Sequence, residues 1–183
     1  MFFKKREETP IKTIEIKISK IDQLFNSMDP SPFLEKDLDD DALDYIVDAV
    51  SEHHINTPQK IIIHLPKKEQ KRINEGEIRE SIKHFFRYKK SRAEKGIKAK
   101  IREGQINFGI AIIFLVVMIT FNELVLQNSK SVTIKIISES IFIISWVIMW
   151  KPISDMVYEW WPLQREKRRF HKISEMDIEF MYE

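Results

Sequence analysis

The 183-residue chain contains no cysteine and only four glycines. The lack of cysteine excludes disulfide bonds, thiolate metal sites and cysteine nucleophiles, and it is typical of a reducing compartment. Few glycines remain to build a phosphate or dinucleotide loop, and neither that motif nor a nucleophile elbow occurs. The acidic run at 37–48 matches a calcium loop only in part, because Ala42 stands where the turn needs glycine. The sequence therefore predicts no enzymatic activity, no cofactor and no metal site.

The N-terminal sequence MFFKKREETP lacks the apolar core of a secretory signal peptide. The first membrane insertion signal is therefore expected inside the chain. The length fits one soluble domain plus a membrane anchor and is too short for two large soluble domains. Residues 104–122 carry no formal charge, whereas residues 83–102 directly before them hold nine Lys or Arg. This abrupt change of composition indicates a membrane boundary.

Residues 107–127 predict a first membrane span, because this run of 21 residues has one charged side chain, Glu123. At about 1.5 Å per residue, its length crosses a hydrocarbon core of about 30 Å. Glu123 lies near one end of the run, where a charge costs less than at the bilayer centre.

Residues 132–150 predict a second span, although Lys135 and Glu139 leave an uncharged run of only eleven residues after them. A buried or re-entrant helix is the alternative for this segment. A full span is favoured because Lys135 can pair with Glu139 or extend to the headgroups, and because Trp146 and Trp150 lie where an aromatic belt is expected. Residues 127–131 alone separate the two segments, so we expect a helical hairpin.

Lys and Arg near the spans predict the orientation. Nine lie in residues 83–102 and six in residues 151–172, against Lys130 alone in the connecting turn. Since positive charge stays inside, we expect a multi-pass protein of the cell membrane with both termini cytoplasmic.

Polar residues inside the hairpin form a candidate intramembrane site. Glu123 and Glu139 each lie eight positions from Ser131, so similar depths are expected, close to Asn122, Ser138 and Ser140. The candidate residues are Asn122, Glu123, Lys135 and Glu139. A shared proton or a cation site is one interpretation. The alternative is that Glu139 pairs with Lys135 and that Glu123 reaches water at the outer interface.

The rest of the chain predicts an α+β fold with a small cytoplasmic β-α-β-α domain. Helices are expected to begin at Asp39 or Asp40 and near Glu75, the second one able to continue into the first span unless Gly96 or Gly104 interrupts it. Alternating or continuous apolar patterns predict three strands, at residues 12–18, 60–65 and 176–182. The last of these would join the N-terminal sheet.

Three parts are therefore predicted: residues 1–104 as the cytoplasmic domain with a basic juxtamembrane helix, residues 105–151 as the hairpin, and residues 152–183 as the tail. Pro152 is expected to break or kink the helix. A short helix in the membrane interface would follow and end at Pro162. The alternative is that the second span simply continues into the cytoplasm.

Basic and aromatic residues beside the spans predict contacts with anionic lipid headgroups, which are favoured over nucleic acid because the basic run directly precedes a span. The candidate contacts are Lys89, Lys90, Arg92, Lys95, Lys98, Lys100, Arg102, Lys151, Trp150, Trp160 and Trp161.

Three stretches, MDPSPFLEKDLDDDALDYIV (28–47), IIIHLP (61–66) and SWVIMWKPISDMVYEWWPLQREKRR (145–169), resemble a family of uncharacterised bacterial two-span integral membrane proteins with a cytoplasmic α+β domain. The resemblance implies the architecture above and carries no assigned chemistry.

These patterns together favour a membrane-anchored cytoplasmic interaction or scaffold module that forms homo-oligomers and binds an unidentified protein partner. The first alternative is a small channel or transporter subunit with Asn122, Glu123 and Glu139 along a proton or cation path. The second is an enzyme acting on lipid headgroups beside Asp155 and Glu159.

Overall fold

A computed structural model of the chain describes residues 11–126 and 131–183. The predicted turn at 127–131, apart from Ser131, and the segment 1–10 lie outside the described residues. The chain is a mixed helix and strand protein with two compact units. The first unit contains the residues up to Arg92 together with Arg165–Glu183, and the second contains Ala93–Gln164.

A three-stranded parallel sheet organises the first unit. Its strands, in spatial order, are β1 (Lys12–Lys17), β2 (Gln59–Leu65) and β3 (Asp177–Tyr182). Ile61 of the central strand lies opposite Ile14 on one side and Ile178 on the other. The parallel pairing of the first two strands is confirmed. The C-terminal strand also joins the sheet, as the alternation at 176–182 predicts.

Two helices begin at the residues that the sequence indicates. Helix α1 (Asp40–Ser51) starts after Asp39, whose Oδ1 accepts a hydrogen bond from the Asp41 backbone N–H at 3.1 Å. Helix α2 (Glu75–Phe121) starts after Asn74, whose Oδ1 accepts from the Gly76 N–H at 3.1 Å. The 47 residues of α2 run without a break through both internal glycines that could have interrupted it.

One row of sheet side chains packs with the helices into the hydrophobic core of the first unit. Its buried members include Ile14, Ile61, Ile63, Leu65, Ile46, Val50, Ile78, Phe86, Ile173 and Ile178. The opposite row carries polar contacts: Lys60 Nζ pairs with Glu179 at 2.8 Å, and His64 Nδ1 lies 3.1 Å from Glu183 Oε1. The two rows alternate along the strands, and Ile62 of the more polar row is also buried.

The second unit consists of helical segments. Helix α2 continues into a π-helical segment, Asn122–Leu126, and helix α3 (Val132–Tyr158) follows. Helix α4 (Trp161–Glu175) begins in this unit and ends in the first. Two long helices are apolar enough to cross a membrane by length and composition, and only 11% and 6% of their most apolar windows are buried inside the protein.

The prediction of a separate short helix between Pro152 and Pro162 is wrong. Helix α3 passes through Pro152, which is buried, and ends at Tyr158. Pro162 is the second residue of α4. A proline in a first helical turn loses no hydrogen bond, because the first four N–H groups have no partner within the helix. Pro162 therefore lies at the start of a helix and does not end one.

Candidate functional site

Helices α2 and α3 contact each other in antiparallel register within the second unit. Gly104 lies against Met156 at one end, and Asn122 lies against Ser138 at the other. Ala111 and Ser145 are buried, with exposed fractions of 5% and 3%. Small residues of this kind allow two helix backbones to approach closely, which is how helices pack in lipid.

Asn122 and Ser138 are joined by two hydrogen bonds. The Ser138 Oγ donates to Asn122 Oδ1 at 2.5 Å, and the Asn122 Nδ2 donates to the Ser138 carbonyl at 3.3 Å. The hydroxyls of Ser140 and Ser145 donate to backbone carbonyls one turn earlier in α3, at 2.8 Å each. These polar groups therefore have hydrogen-bond partners within the protein.

The four predicted intramembrane polar residues separate into two groups. Asn122 takes part in the pair with Ser138, whereas Glu123, Lys135 and Glu139 are exposed on the surface of the helix pair. Among the described residues, no ion pair joins Lys135 to Glu139, although their spacing would permit one. A shared proton or cation site of the two carboxylates stays a prediction.

Charged side chains connect α2 to α3 at the end marked by Gly104 and Met156. Lys100 Nζ lies 3.0 Å from Glu159 Oε2 and 3.3 Å from Glu103 Oε2. Lys151 pairs with Asp155 and lies 3.5 Å from Glu159 Oε1. The hydrogen bond to Glu159, followed by that to Glu103, raises the pKa of Lys100. Two of the predicted lipid contacts, Lys100 and Lys151, therefore have carboxylate partners within the protein.

Other predicted lipid contacts project from α2. Arg92, Lys95, Lys98 and Arg102 are exposed. The four follow each other by three, three and four residues, so each neighbours the next on one side of the helix. Lys89 and Lys90 are half-buried, and Lys89 Nζ lies 5.1 Å from the centre of the Phe85 ring.

The three predicted tryptophan contacts differ in exposure. Trp150 and Trp161 are 70% and 51% exposed. Trp160 is half-buried, and its indole N–H donates to the Met156 carbonyl at 3.1 Å. Exposed indoles beside an apolar helix pair are typical of a membrane interface.

A crevice of about 350 Å³ lies in the first unit, beyond the carboxyl ends of β1 and β2. Its lining includes Asp22, Asn74, Glu77 and the pair of Glu69 with Arg72, in which Glu69 is 2% exposed and the ion pair spans 2.8 Å. The strand order has no reversal, so the sheet lacks the switch point at which parallel sheets bind ligands. No group of three metal-ligating side chains occurs in the described parts of the chain. We assign no ligand to this crevice.

Ser145 and the small residues of α2 are absent from the predicted site, whereas Ser138 is expected there only as a neighbour of the two carboxylates. A signal for them exists in the sequence, because Ser138, Ser145 and Pro152 are seven residues apart. Two helical turns separate each from the next, so all three share one side of α3. The spacing marks the contact side, whereas the hydrogen-bonding partner on α2 depends on the register of the two helices.

Gly104 gives a testable prediction about this contact. A Cβ atom there would lie 3.0 Å from Met156 Cγ and 3.6 Å from the Met156 backbone. We expect Gly104→Val to destabilise the helix pair by about 1–3 kcal/mol through overpacking. Gly109→Val is the matched control, because in the described structure nothing outside its own helix lies within 4 Å of a Cβ there. Thermal unfolding in detergent would measure both, and equal stability of the two variants would contradict the contact.

Comparisons of the chain with protein-family models, with curated proteins and with solved structures find no match. The resemblance to a family of two-span bacterial membrane proteins therefore stays a prediction.

Proposed function

We propose that this chain is a two-span membrane protein in which helices α2 and α3 cross the bilayer as a hairpin. It holds the first unit at the cytoplasmic surface as an interaction or scaffold module and self-associates. The observation that carries this proposal is the low burial of the two long helices. In the most apolar 18-residue stretch of each helix, only 11% and 6% is buried inside the protein. The core helix of a soluble protein buries its apolar side chains.

Exposed apolar residues support lipid as the solvent of the second unit. Ile113, Val117, Ile143 and Trp146 are 66%, 54%, 62% and 62% exposed. Burial of one such side chain contributes about 1.5–3 kcal/mol, so leaving a whole row of them in water is strongly unfavourable. Soluble monomers rarely expose contiguous apolar patches of this extent.

The distribution of charge supports cytoplasmic termini. The ion pair of Lys100 with Glu159 and the indole of Trp161 belong to the same end of the helix pair as the contact of Gly104 with Met156. Basic residues are concentrated beside this end, in 83–102 and 151–172. The positive-inside rule then favours the cytoplasm for this end and anionic lipid headgroups as partners of the exposed basic residues.

Self-association is supported in both units. An apolar groove of about 390 Å³ between α2 and α3 is lined by Phe114, Phe121, Ile144 and neighbouring side chains. The sheet has β1 and β3 at its edges, and edge strands offer backbone groups to another chain. Binding of a further protein partner to the first unit belongs to the same proposal.

Purified full-length chain in mild detergent tests the scaffold role. Light scattering is expected to give a protein mass of two or more copies per particle at micromolar concentration. A mass of one copy at every concentration would contradict self-association.

A channel or transport role is the second candidate, favoured by one observation. The π-helical segment Asn122–Leu126 contains Glu123, and such segments often occur at functional sites. Cation flux into proteoliposomes discriminates the two roles. A scaffold gives no flux, whereas a channel gives flux that the double variant Glu123→Gln with Glu139→Gln abolishes.

A further inference from the structure

We propose that a groove between helices α2 and α3 binds one phospholipid with a primary ammonium headgroup, phosphatidylethanolamine. The phosphate of this lipid would bind Lys151 and Asn107, its ammonium would bind Asp155, and an acyl chain would lie along the apolar part of the groove. This inference rests on the proposed membrane location and names a lipid class that one side of the helix pair selects.

The groove, here called the Lys151 groove, is an open cavity of about 470 Å³ in the second unit. Its walls are mainly apolar, and both helices contribute to them: Ile110, Ala111, Phe114, Ile148 and Pro152. An α-helix with its side chains is about 10–12 Å across and can only lie over such a groove. A single hydrocarbon chain is much thinner, so an acyl chain can lie within it.

The apolar surface continues from this groove towards the other end of the helix pair. Phe114 also lines the apolar groove of about 390 Å³ that reaches Phe121. On α2 the lining residues of the two grooves follow each other by three or four positions and share one side of the helix: Asn107, Ile110, Phe114, Val117 and Phe121. From the first to the last is about 21 Å along the helix. Half of a hydrocarbon core is about 15 Å thick, so this surface is long enough for the acyl chain of one leaflet.

The polar side chains of the Lys151 groove lie at one end of it. Asn107 is the first residue of the first predicted span and Lys151 directly follows the second, so both are at headgroup level in the proposed hairpin. Asn107 is half-buried, and within the described parts of the chain its side chain makes no hydrogen bond. An ammonium has three donors, so Lys151 keeps one after those to Asp155 and Glu159. These donors suit a phosphate group.

Asp155 provides an acceptor for the headgroup ammonium. Its side chain lines the groove and is 15% exposed. Lys151 donates to Oδ1, which leaves Oδ2 to accept from a second donor. The zwitterionic headgroup then alternates in charge with the protein, with the phosphate against Lys151 and the ammonium against Asp155. Hydrogen bonds between charged groups are the strong ones in proteins, so this arrangement distinguishes an ammonium from a group that cannot donate.

The charge balance at this end favours a zwitterionic headgroup over an anionic one. Ion pairs link two ammonium groups with three carboxylates here: Lys100, Lys151, Glu103, Asp155 and Glu159. The set has one excess negative charge, to which an anionic lipid adds another and phosphatidylethanolamine adds none. Arg102, the nearest exposed basic residue of α2, is five residues from Asn107 and therefore about 140° away around the helix. Anionic lipids thus contact a different side of α2.

Native mass spectrometry of the full-length chain in mild detergent, after removal of co-purified lipid, tests the site. Three phospholipids with the same palmitoyl and oleoyl chains are added one at a time, with ethanolamine, choline or glycerol headgroups. We expect one phosphatidylethanolamine per chain, bound at least about tenfold more tightly than the other two. The choline group cannot donate a hydrogen bond to Asp155, and the glycerol headgroup brings no positive charge. Equal binding of all three, or tightest binding of phosphatidylglycerol, would overturn the proposal.

Asp155→Asn tests the headgroup contact. The preference for phosphatidylethanolamine over phosphatidylcholine is expected to fall to within about twofold, while phosphatidylcholine binds at least as tightly as it does to the native chain. A variant that had merely lost its fold would lose all three lipids. A preference that persists in the variant would exclude Asp155 as the partner of the ammonium.

Ile148→Trp tests the groove, because the larger side chain fills it. All three lipids are expected to bind at least about tenfold more weakly. Ile143→Trp is the matched control, because Ile143 is 62% exposed and lies five residues from Ile148, about 140° away around α3. Lipid binding should be unchanged in the control. If Ile148→Trp keeps its lipid and instead changes the number of copies per particle, a second copy covers the groove and the lipid site is wrong.

Failure of this inference and failure of the proposed function give different results. A chain that needs detergent for extraction but shows no headgroup preference keeps its membrane location and loses the lipid site. A folded chain that is soluble without detergent would remove the membrane location, and the lipid site with it.

Discussion

A chain that ends after Glu175 is expected to lose the folded structure of the first unit. Strand β3 pairs with β2 along one whole edge of that strand. The deletion also removes Ile178 of β3 and Met176 just before it, whose side chains are 0% and 5% exposed. Removing one buried side chain of this size costs about 2–5 kcal/mol, against a total stability of about 5–15 kcal/mol for a typical domain. The deletion removes two of them and the backbone hydrogen bonds as well.

Hydrogen exchange of β1 and β2 in detergent would measure this loss. Protection in both strands should fall to the level of an unfolded chain, and α2 beyond Arg92 should keep its protection. Met181→Ser is the control, because Met181 is 49% exposed in the same strand, and a change within about 0.5 kcal/mol is expected. Unaltered protection in the truncated chain would rule out β3 as part of the sheet.

Tyr182, the last residue of the same strand, links β3 to another element of the first unit. Its hydroxyl donates to Glu75 Oε1 at 2.7 Å, which joins β3 to the start of α2. Burial, with the hydrogen bond to Glu75 as the next cause, raises the pKa of Tyr182 to about 12. The Tyr182 hydroxyl therefore stays protonated and can donate this hydrogen bond at every physiological pH.

Val116→Arg is expected to reduce membrane insertion roughly a hundredfold. Val116 is 56% exposed and lies near the middle of the first predicted span. Arginine at the centre of a membrane helix costs about 2.5–3.5 kcal/mol, and each 1.4 kcal/mol is a factor of about ten. The full-length variant would be compared with the native chain in the membrane fraction of expressing cells.

The Val116→Arg substitution is expected to have opposite effects in lipid and in water, the two solvents that could surround α2. An exposed valine in water can be replaced by arginine with little change in stability, usually within about 0.5 kcal/mol, and solubility improves. In lipid the same change lowers membrane insertion about a hundredfold. Leu34→Arg, at a 48% exposed position of the first unit, controls for expression. A Val116→Arg chain that is folded and membrane-inserted like the native one would oppose the lipid assignment.

The elements that follow from local pattern could be predicted from the sequence. Alternation at 12–18 and 176–182 corresponds to β1 and β3, and the capping residue Asp39 marks the start of α1. The apolar runs needed no tertiary information, because length and composition alone decide whether a helix is apolar enough to cross a membrane. These runs lie in α2 with its π-helical segment and in α3.

Features that depend on packing between helices could not be predicted. The spacing of Lys135 and Glu139 permits an ion pair that does not form, whereas Lys100 pairs with Glu159 because the register of α2 against α3 brings them together. Pro152 is expected to break or kink the helix, and α3 continues through it without a break. Loss of one backbone hydrogen bond is tolerated where packing and local adjustment satisfy the freed carbonyl.

Alkaline carbonate extraction of membranes from cells that express the full-length chain tests the central claim most directly. A chain whose α2 and α3 lie across the lipid stays in the membrane pellet and enters solution only with detergent. Release of the folded chain into the carbonate supernatant would show that water, and not hydrocarbon, surrounds these helices.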